Sequence, residues 1–356
     1  QTITMTGGGT EVFRYLLLNN SAGNVIIGAS TNLAVDGNTG DPLQILNNGS
    51  FDLNGRTIYL SGGNGGNIKT SGGARSIIGS GTFAVQGNKF VTTASGGTLS
   101  FGANVLVDLT AGLDFGTSLS TINGTLQISA GGYVSTNAPI YGNGSLLKYN
   151  TATNPYVRGP EWSSNSGAGY PYNVQVSNTT NVNPAGLSNA AVALSVANNL
   201  TIDAGSGLYM DYSGNNMIVP LIVNNDLNLN GGLSASGAIG GDIVVKGNWN
   251  RTGTFAPNSR AVFFQGTLAQ TLTGATGFDF VLIDKTSGSF TLANNMTVNQ
   301  TLTFTAPNTV NITTGSNRVN IGATGSVVRT GSGHINGNEQ RNIAAGANVS
   351  RTFDIG

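Results

Sequence analysis

A seven-residue phrase that recurs along the second half of the chain constrains the fold more than any other feature. Its copies are Val196–Ile202, Val223–Leu229 and Leu292–Val298, and a fainter copy is Val245–Trp249. Successive copies start 27, 22 and 47 residues apart (223−196, 245−223 and 292−245), and the last spacing is about twice a period near 23. A fixed period of this size is typical of a solenoid, in which each repeat buries its apolar face by stacking on its neighbours.

Each copy contains the signals of a turn followed by a strand. Asparagine supplies the turn, and a short alternating run such as Leu200-Thr201-Ile202 follows it. Alternation places the apolar side chains on one face of a strand. The sequence therefore predicts an all-β fold, a right-handed parallel β-helix (β-solenoid) with about three short strands per rung. At about 22–25 residues per lap, the chain would make roughly 14–16 rungs.

Composition agrees with short strands and excludes several function classes. The chain has 54 glycines, and charged residues make up only 8% of it, against about 25% in typical domains. Lys plus Arg equals Asp plus Glu at 15 each, and no basic stripe is visible, so we expect no nucleic-acid partner. The absence of cysteine excludes disulfides and thiolate metal sites. Apolar stretches are too short for a membrane span, and no cofactor motif is present.

The strand pattern breaks between residues 150 and 186, a segment that contains four of the nine prolines. Because proline cannot donate to a strand ladder, we expect an irregular insertion or junction there. The predicted organisation is a solenoid segment over 1–149, the junction over 150–186, and a second solenoid segment over 187–356. The alternating run at the C-terminus carries no cap, which predicts that the polypeptide continues beyond Gly356. A start at Gln1 without a signal segment is typical of a mature or trimmed form.

The junction is also where aromatic and charged side chains gather. Exposed rings can stack on sugars or mark an interface, although here the favoured alternative is that they cover the seam between the two solenoid segments. The candidate binding residues are Tyr156, Arg158, Glu161, Trp162, Tyr170 and Tyr172.

Carboxylates are the natural candidates for catalysis, because parallel β-helices often host polysaccharide-cleaving enzymes that use them in pairs. No pair is placed on neighbouring rungs, since Asp226 precedes its strand whereas Asp203 follows its own. The single histidine, His334, lies in a glycine-rich, turn-like stretch, and no nucleophile-elbow motif occurs. We therefore predict no catalytic residue and no metal site. The other carboxylates considered are Asp211, Asp242, Asp279 and Asp284.

The run from Gly62 to Lys69 resembles one calcium-binding nonapeptide turn of a parallel β-helix. Asn67 stands where that motif requires aspartate, Lys69 stands where it requires an aliphatic residue, and no second copy follows. A flexible turn without calcium is the favoured interpretation.

Several longer phrases carry a resemblance to a known family. They are GNWNRTGTFAPNSRAVFFQGTLAQTLTGATGFDFVLIDKTSGSFTLANNMTVNQTLTF, VVRTGSGHINGNEQRNI, SRTFDIG and KYNTATNPYVRGPEWSS. Residues 145–356 resemble the large repetitive surface (adhesin-like) proteins of Bacteroidota that are exported by the type IX secretion system. The first 145 residues resemble them only in the general character of the sequence. The resemblance implies an extracellular location and a structural or adhesive role. It supplies no catalytic motif, and the separate sorting domain that usually ends such proteins is not in this sequence.

The expected function is therefore that of an extracellular, surface-associated β-solenoid, acting as an adhesin, stalk or filament subunit and not as an enzyme. Expected partners are surface glycans or other copies of the chain, together with the secretion machinery. Two alternatives stay open. One is a carbohydrate-binding or polysaccharide-degrading β-helix with the junction as its site, and the other is a passenger cargo of type IX secretion.

Overall fold

The chain is all-β, with about 2% helix, and its parallel sheets stack as a β-solenoid of about 14 turns. The computed structural model describes residues 1–4, 8–20, 23–47, 49–88, 90–118, 120–186, 192–342, 350 and 352–356. The predicted β-solenoid is confirmed. Leu119, the first residue of a short strand expected over Leu119–Ile122, and Leu187, where the second solenoid segment is expected to begin, lie outside the described residues.

The strands are short, and two single-turn 3₁₀ helices, Pro160–Trp162 and Tyr212–Gly214, interrupt them. The strands of the first half are β1 (Thr2–Ile3), β2 (Gly9–Phe13), β3 (Leu16–Asn19), β4 (Asn24–Ile27), β5 (Thr31–Val35), β6 (Leu43–Leu46), β7 (Ser50–Asp52), β8 (Arg56–Leu60), β9 (Gly66–Ile78), β10 (Gly81–Val85), β11 (Phe90–Phe101), β12 (Val105–Leu109), β13 (Gly112–Asp114), β14 (Thr121–Ile122), β15 (Thr125–Ser129), β16 (Tyr133–Val134), β17 (Ile140–Tyr141), β18 (Leu146–Asn150), β19 (Tyr156–Val157) and β20 (Asn173–Val176). Those of the second half are β21 (Asn181–Asn183), β22 (Leu194–Val196), β23 (Leu200–Ile202), β24 (Gly207–Tyr209), β25 (Leu221–Val223), β26 (Leu227–Leu229), β27 (Gly232–Ser234), β28 (Ile243–Val245), β29 (Trp249–Arg251), β30 (Thr254–Ala256), β31 (Ala261–Gln265), β32 (Gln270–Thr273), β33 (Thr276–Asp284), β34 (Phe290–Leu292), β35 (Met296–Phe304), β36 (Ile312–Thr313), β37 (Val319–Ile321), β38 (Ser326–Arg329), β39 (Ile335–Asn336) and β40 (Glu339–Arg341).

The chain forms two compact units. The first comprises residues 1–154 and 158–180, and the second comprises residues 155–157 and 181–356. The segment 150–186, where the sequence predicts an irregular junction, holds both the turn Pro160–Trp162 and paired strands. In the first unit β20 pairs with β18, and in the second unit β19 pairs with β21.

In the first unit, three strands complete each lap. The lap from Asn24 to its register partner Ser50 contains β4, β5 and β6. One sheet of the unit runs β2-β5-β8-β10-β12-β15-β18-β20, and the other contains the ladder β1-β4-β7-β9-β11-β13-β16. Lap length varies from 19 residues between Val107 and Leu126 (126−107) to 27 between Leu147 and Val174 (174−147).

In the second unit, three ladders form the faces of the rungs. They run β23-β26-β29-β32-β34-β36-β39, β19-β21-β24-β27-β30 and β22-β25-β28-β31-β33-β35-β37-β40, with β38 also paired to β35. Inward side chains stack from rung to rung and are buried, because alternation turns every second residue toward the axis. One such column is Leu200, Leu227, Trp249, Leu272 and Leu292. Each fully buried side chain of this kind contributes about 1.5–3 kcal/mol, so stacking is the main source of stability.

The copy of the recurrent phrase at Leu292–Val298, which is the fourth in chain order, lies at a different corner of the rung from the other three. The first three copies connect the ladder of β22, β25 and β28 to that of β23, β26 and β29. Two laps after Val245 the equivalent residue is Ile283, whereas Leu292 ends β34 and continues the ladder of Trp249. The 47-residue spacing therefore does not correspond to two laps along one corner.

What the copies share is the chemistry of a turn. The Oδ1 atom of Asn199 accepts the backbone N–H of Asp226, one rung further on, at 3.1 Å. In the fourth copy, Oδ1 of Asn295 accepts the N–H of Arg318, also at 3.1 Å. The phrase thus encodes a turn in which an amide or carboxylate oxygen accepts a backbone N–H of the next rung, and this turn occurs at more than one corner.

Candidate functional site

The first unit holds five of the six candidate binding residues, because Tyr156 lies on β19 of the second unit. The remaining five lie on a loop between β18 and β20. Pro160 begins the 3₁₀ turn, and its fixed φ suits the first position of a helical turn. The loop folds back at Gly169, whose carbonyl accepts the N–H groups of Ser163 and Ser164 at 2.9 and 3.1 Å.

Glu161 points into the interior of the first unit and is completely buried. Its Oε1 atom accepts hydrogen bonds from the Tyr149 hydroxyl at 3.1 Å and from the Gly159 N–H at 2.9 Å, whereas Oε2 has no hydrogen-bond partner among the described residues. Burial raises the pKa of the Glu161 carboxyl, and these hydrogen bonds and the nearby charge of Arg158 oppose that effect only in part. Burial therefore shifts this carboxyl toward its protonated form relative to an exposed one.

Trp162 is also completely buried, and the neighbouring backbone is tied to Arg158. The Nη1 atom of Arg158 donates to the carbonyl of Trp162 at 2.8 Å and to the carbonyl of Gly159 at 3.1 Å. The Tyr141 hydroxyl donates to the carbonyl of Glu161 at 2.9 Å. The arginine and the tyrosine thus satisfy carbonyls of a turn that would otherwise lose its hydrogen bonds on burial.

The three tyrosines among the candidates are half-buried. Burial raises the pKa of the Tyr170 phenol above its usual value. Tyr172 precedes β20 directly, and Tyr156 lies on a strand of the second unit. The structure therefore brings Arg158, Glu161 and Trp162 together and leaves neither Glu161 nor Trp162 accessible to a surface ligand.

Glu161 has the raised pKa of a general acid, but its burial gives it no access to a substrate. A carboxyl with a raised pKa is the usual form of a general acid, but a general acid must reach the group that it protonates. Glu161 meets only side chains and backbone of its own unit through Oε1. Tyr149 and Tyr141 hydrogen-bond to Glu161, and neither is among the site residues that the sequence indicates. The alternation of β18, which turns Tyr149 inward, was the available signal.

Five of the other six carboxylates considered from the sequence accept hydrogen bonds from other rungs, namely Asp211, Asp226, Asp242, Asp279 and Asp284. Asp226 Oδ1 accepts the N–H of Asn248 at 2.7 Å. Asp279 accepts the N–H of Ser259 at 2.8 Å, and Asp284 accepts hydrogen bonds from two neighbouring side chains at 2.9 Å. The backbone N–H of His334 donates to Oδ1 of Asn311 at 3.1 Å. Among the residues that the structure describes, no three His, Asp or Glu side chains are grouped as a metal site would require.

The glycine-rich run resembling a calcium turn includes the start of a strand. Asn67 and Lys69 lie on β9, and both donate to the carboxylate of Asp41 at 2.9 Å. The expectation of a flexible turn is wrong from Gly66 onward, because these residues pair with a neighbouring rung. The motif has an aliphatic residue at the position of Lys69. Here the Lys69 side chain faces outward and forms an ion pair with Asp41.

Comparison with protein-family models, with curated proteins and with solved structures found no match to this chain. Over the described ranges, no helix has the length and apolarity needed to cross a lipid bilayer.

Proposed function

We propose that the protein is an extracellular, surface-associated β-solenoid of a Bacteroidota-type bacterium, exported by type IX secretion, with a structural or adhesive role as adhesin, stalk or filament subunit. The observation that carries the proposal is that polar side chains join rung to rung through backbone groups. Such side chains stabilise a framework, as a structural role requires.

The clearest case is a side-chain ladder along one corner of the second unit. Asn199 accepts the N–H of Asp226, Asp226 accepts the N–H of Asn248, and Asn248 accepts the N–H of Thr271 at 2.9 Å. Each link satisfies a backbone donor that the turn would otherwise leave without an acceptor. Four successive rungs are therefore joined by three amide or carboxylate links as well as by strand pairing.

An aromatic cluster fixes the interior of the same unit. Trp249 packs against Phe255, Phe264 and Phe278 with ring centroids 5.0, 6.2 and 5.1 Å apart, at interplanar angles typical of edge-to-face contacts. Its Nε1–H donates to Thr276 Oγ1 at 3.2 Å, so the buried indole is fully satisfied. Interiors of this kind resist deformation because close-packed side chains have few alternative arrangements.

The low content of charged residues also suits a protein exposed to changes of salt and pH. With 15 acidic and 15 basic residues in 356, few groups titrate and little of the stability depends on salt. Most contacts between rungs are backbone hydrogen bonds and amide or hydroxyl contacts, which change little with ionic strength.

The proposal is tested on cells of the bacterium that encodes the chain. Antibodies raised against the purified protein should label intact cells as strongly as permeabilised cells, and brief protease treatment of intact cells should remove the label. A strain lacking the type IX translocon is the control and should lose surface label while retaining the protein internally. Label that appears only after permeabilisation would contradict the proposal, and surface label that persists in the control strain would contradict the export route.

A further inference from the structure

The second unit carries one long loop between two core methionines. Met210 and Met217 are both completely buried, and the N–H of Met217 donates to the carbonyl of Met210 at 2.9 Å. Residues 211–216 therefore leave the rung and return to it at the same place. The lap that contains them has 27 residues (227−200), whereas the next has 22 (249−227). Such loops on a rigid scaffold are where proteins place binding residues.

Beside the loop, the ring of Tyr209 lies flat on the outer surface of β24 and β27. A Cβ atom added to Gly207 would lie 2.4 to 2.7 Å from three atoms of the Tyr209 ring and hydroxyl, and one added to Gly232 would lie 3.1 Å from the hydroxyl. A side chain at Gly207 would displace the ring, and one at Gly232 would crowd its hydroxyl. One face of the ring is therefore held against backbone, and Tyr209 remains half-exposed to solvent.

A second ring and a carboxylate lie next to this platform. The ring centroids of Tyr209 and Tyr212 are 6.4 Å apart at an angle of 55°, so the two rings form a shallow, open angle. Between them in the chain, Asp211 accepts a hydrogen bond from Nδ2 of Asn258 through Oδ2 at 2.9 Å.

The asparagine that holds Asp211 is itself fixed. Its Nδ2 atom also lies 2.9 Å from Ser234 Oγ and 2.8 Å from the carbonyl of Ala235. Oδ1 of Asp211 makes no hydrogen bond to any described residue. One oxygen orients the carboxylate and the other is left to accept from a ligand.

We propose that Tyr209, Asp211 and Tyr212 form a binding site for a neutral pyranose sugar of a surface glycan. The inference rests on the proposed adhesive function and names its ligand class. The apolar C–H face of a pyranose would stack on the tyrosine rings through dispersion and burial of apolar area. Asp211 would accept a hydroxyl hydrogen, and charge-assisted hydrogen bonds of this type are stronger than neutral ones. Anionic sugars would be repelled by the same carboxylate.

The chain contains a matched control for ring stacking. In the first unit, Tyr133 lies over Gly112, where an added Cβ would meet ring atoms at 2.6 to 3.0 Å, and 44% of Tyr133 is exposed. Among the described residues, Tyr133 has neither a ring partner nor an adjacent acidic residue in the chain. Tyr133→Ala removes an equivalent exposed ring from a glycine platform without touching the proposed site.

The experiment measures binding of the purified chain to neutral oligosaccharides and polysaccharides (cellohexaose, mannan, laminarin and xylan) and to anionic alginate and polygalacturonate. We expect binding to at least one neutral glycan. Tyr209→Ala and Tyr212→Ala should each lower the affinity about tenfold or more, and Asp211→Asn about three- to tenfold. Tyr133→Ala should leave the affinity unchanged. Circular dichroism and thermal unfolding of every variant establish that the fold is retained, and Tyr209→Phe, which keeps the ring, should retain more affinity than Tyr209→Ala.

Two results would overturn the inference. One is the absence of binding to any neutral glycan by the unaltered chain, and the other is binding that folded Tyr209→Ala and Tyr212→Ala variants retain in full. Either result leaves the surface location intact, since antibody labelling of cells tests that separately. Absence of surface label together with site-dependent glycan binding would contradict the proposed function and preserve the site.

Discussion

The buried carboxyl of Glu161 should give the first unit an unusual dependence of stability on pH. Its pKa is raised above the ordinary value of 4.5 because the group is completely buried. The folded protein therefore binds this proton more tightly than the unfolded chain does. As the pH rises from about 4.5 toward the higher pKa of the folded state, the free energy of unfolding should fall by up to about 1.4 kcal/mol per pH unit. Above that pKa the loss is complete, and at pH 4 it is absent.

Glu161→Gln should remove this slope, because glutamine keeps the shape of the side chain and does not ionise. The assay is urea unfolding between pH 4 and pH 8 in a Trp249→Phe background. The chain has two tryptophans, and with Trp249 replaced the fluorescence comes from Trp162 of the first unit. The quantity compared is the difference in the free energy of unfolding, at each pH, between this background protein and the same protein carrying Glu161→Gln.

An exposed carboxylate provides the matched control, since Asp36→Asn removes an acid of the same unit that lies in solvent. The difference in the free energy of unfolding between the background protein and its Asp36→Asn variant should change little between pH 4 and pH 8.

A second variant, Gly159→Ala, tests how closely the Glu161 carboxyl is enclosed. A Cβ atom at Gly159 would lie 2.7 Å from Glu161 Oε2 and 3.1 Å from the carbonyl of Val134, so Gly159→Ala should cost about 1–3 kcal/mol. The reasoning is refuted if Glu161→Gln leaves the pH dependence of the free energy of unfolding unchanged. It is also refuted if the free energy of unfolding of the Glu161→Gln variant falls, relative to that of the background protein, as the pH rises.

Three further predictions concern the second unit. Trp249→Ala should lower its free energy of unfolding by about 3–5 kcal/mol in urea titrations, because it empties the centre of the aromatic cluster, and a loss below about 1 kcal/mol would show that the cluster repacks. Asn248→Ala should cost about 1–3 kcal/mol by leaving the N–H of Thr271 without its acceptor, whereas Asn336→Ala, at an exposed outward position, should cost less than about 0.5 kcal/mol. Burial lowers the pKa of Lys285 to about 8, so the folded unit holds this proton less tightly than the unfolded chain, and its stability should rise between about pH 8 and pH 10.5. Lys285→Met should abolish that rise in alkaline urea titrations, and a rise that persists in the variant would assign it to another group.

Sequence patterns predict this fold well wherever the determinants are local. Alternation predicts β4 (Asn24–Ile27) and β12 (Val105–Leu109) with their observed bounds. It fails at β9, where Gly66–Ile78 continues as one strand through glycines that local rules interpret as turns. Pairing with β11 on the next rung continues past those glycines, although Gly73 has a left-handed φ of 64°, and that partner lies about 24 residues away in sequence.

The candidate site shows the same limit more strongly. Composition predicts that aromatic and charged residues gather near Trp162, and the structure does place Arg158, Glu161 and Trp162 together. Whether such residues face solvent depends on contacts with other rungs, such as that between Glu161 and Tyr149. No periodicity runs through the turn Pro160–Trp162 from which the inward direction could be deduced.

The Met210–Met217 closure has a consequence for engineering. Because residues 211–216 enter and leave the rung at one hydrogen-bonded point, and only Asp211 and Asn216 among them bind other rungs in the described structure, exchanging residues 212–215 should preserve the strand register above and below the loop. Libraries randomised over those four positions would then sample new recognition surfaces on an unaltered support.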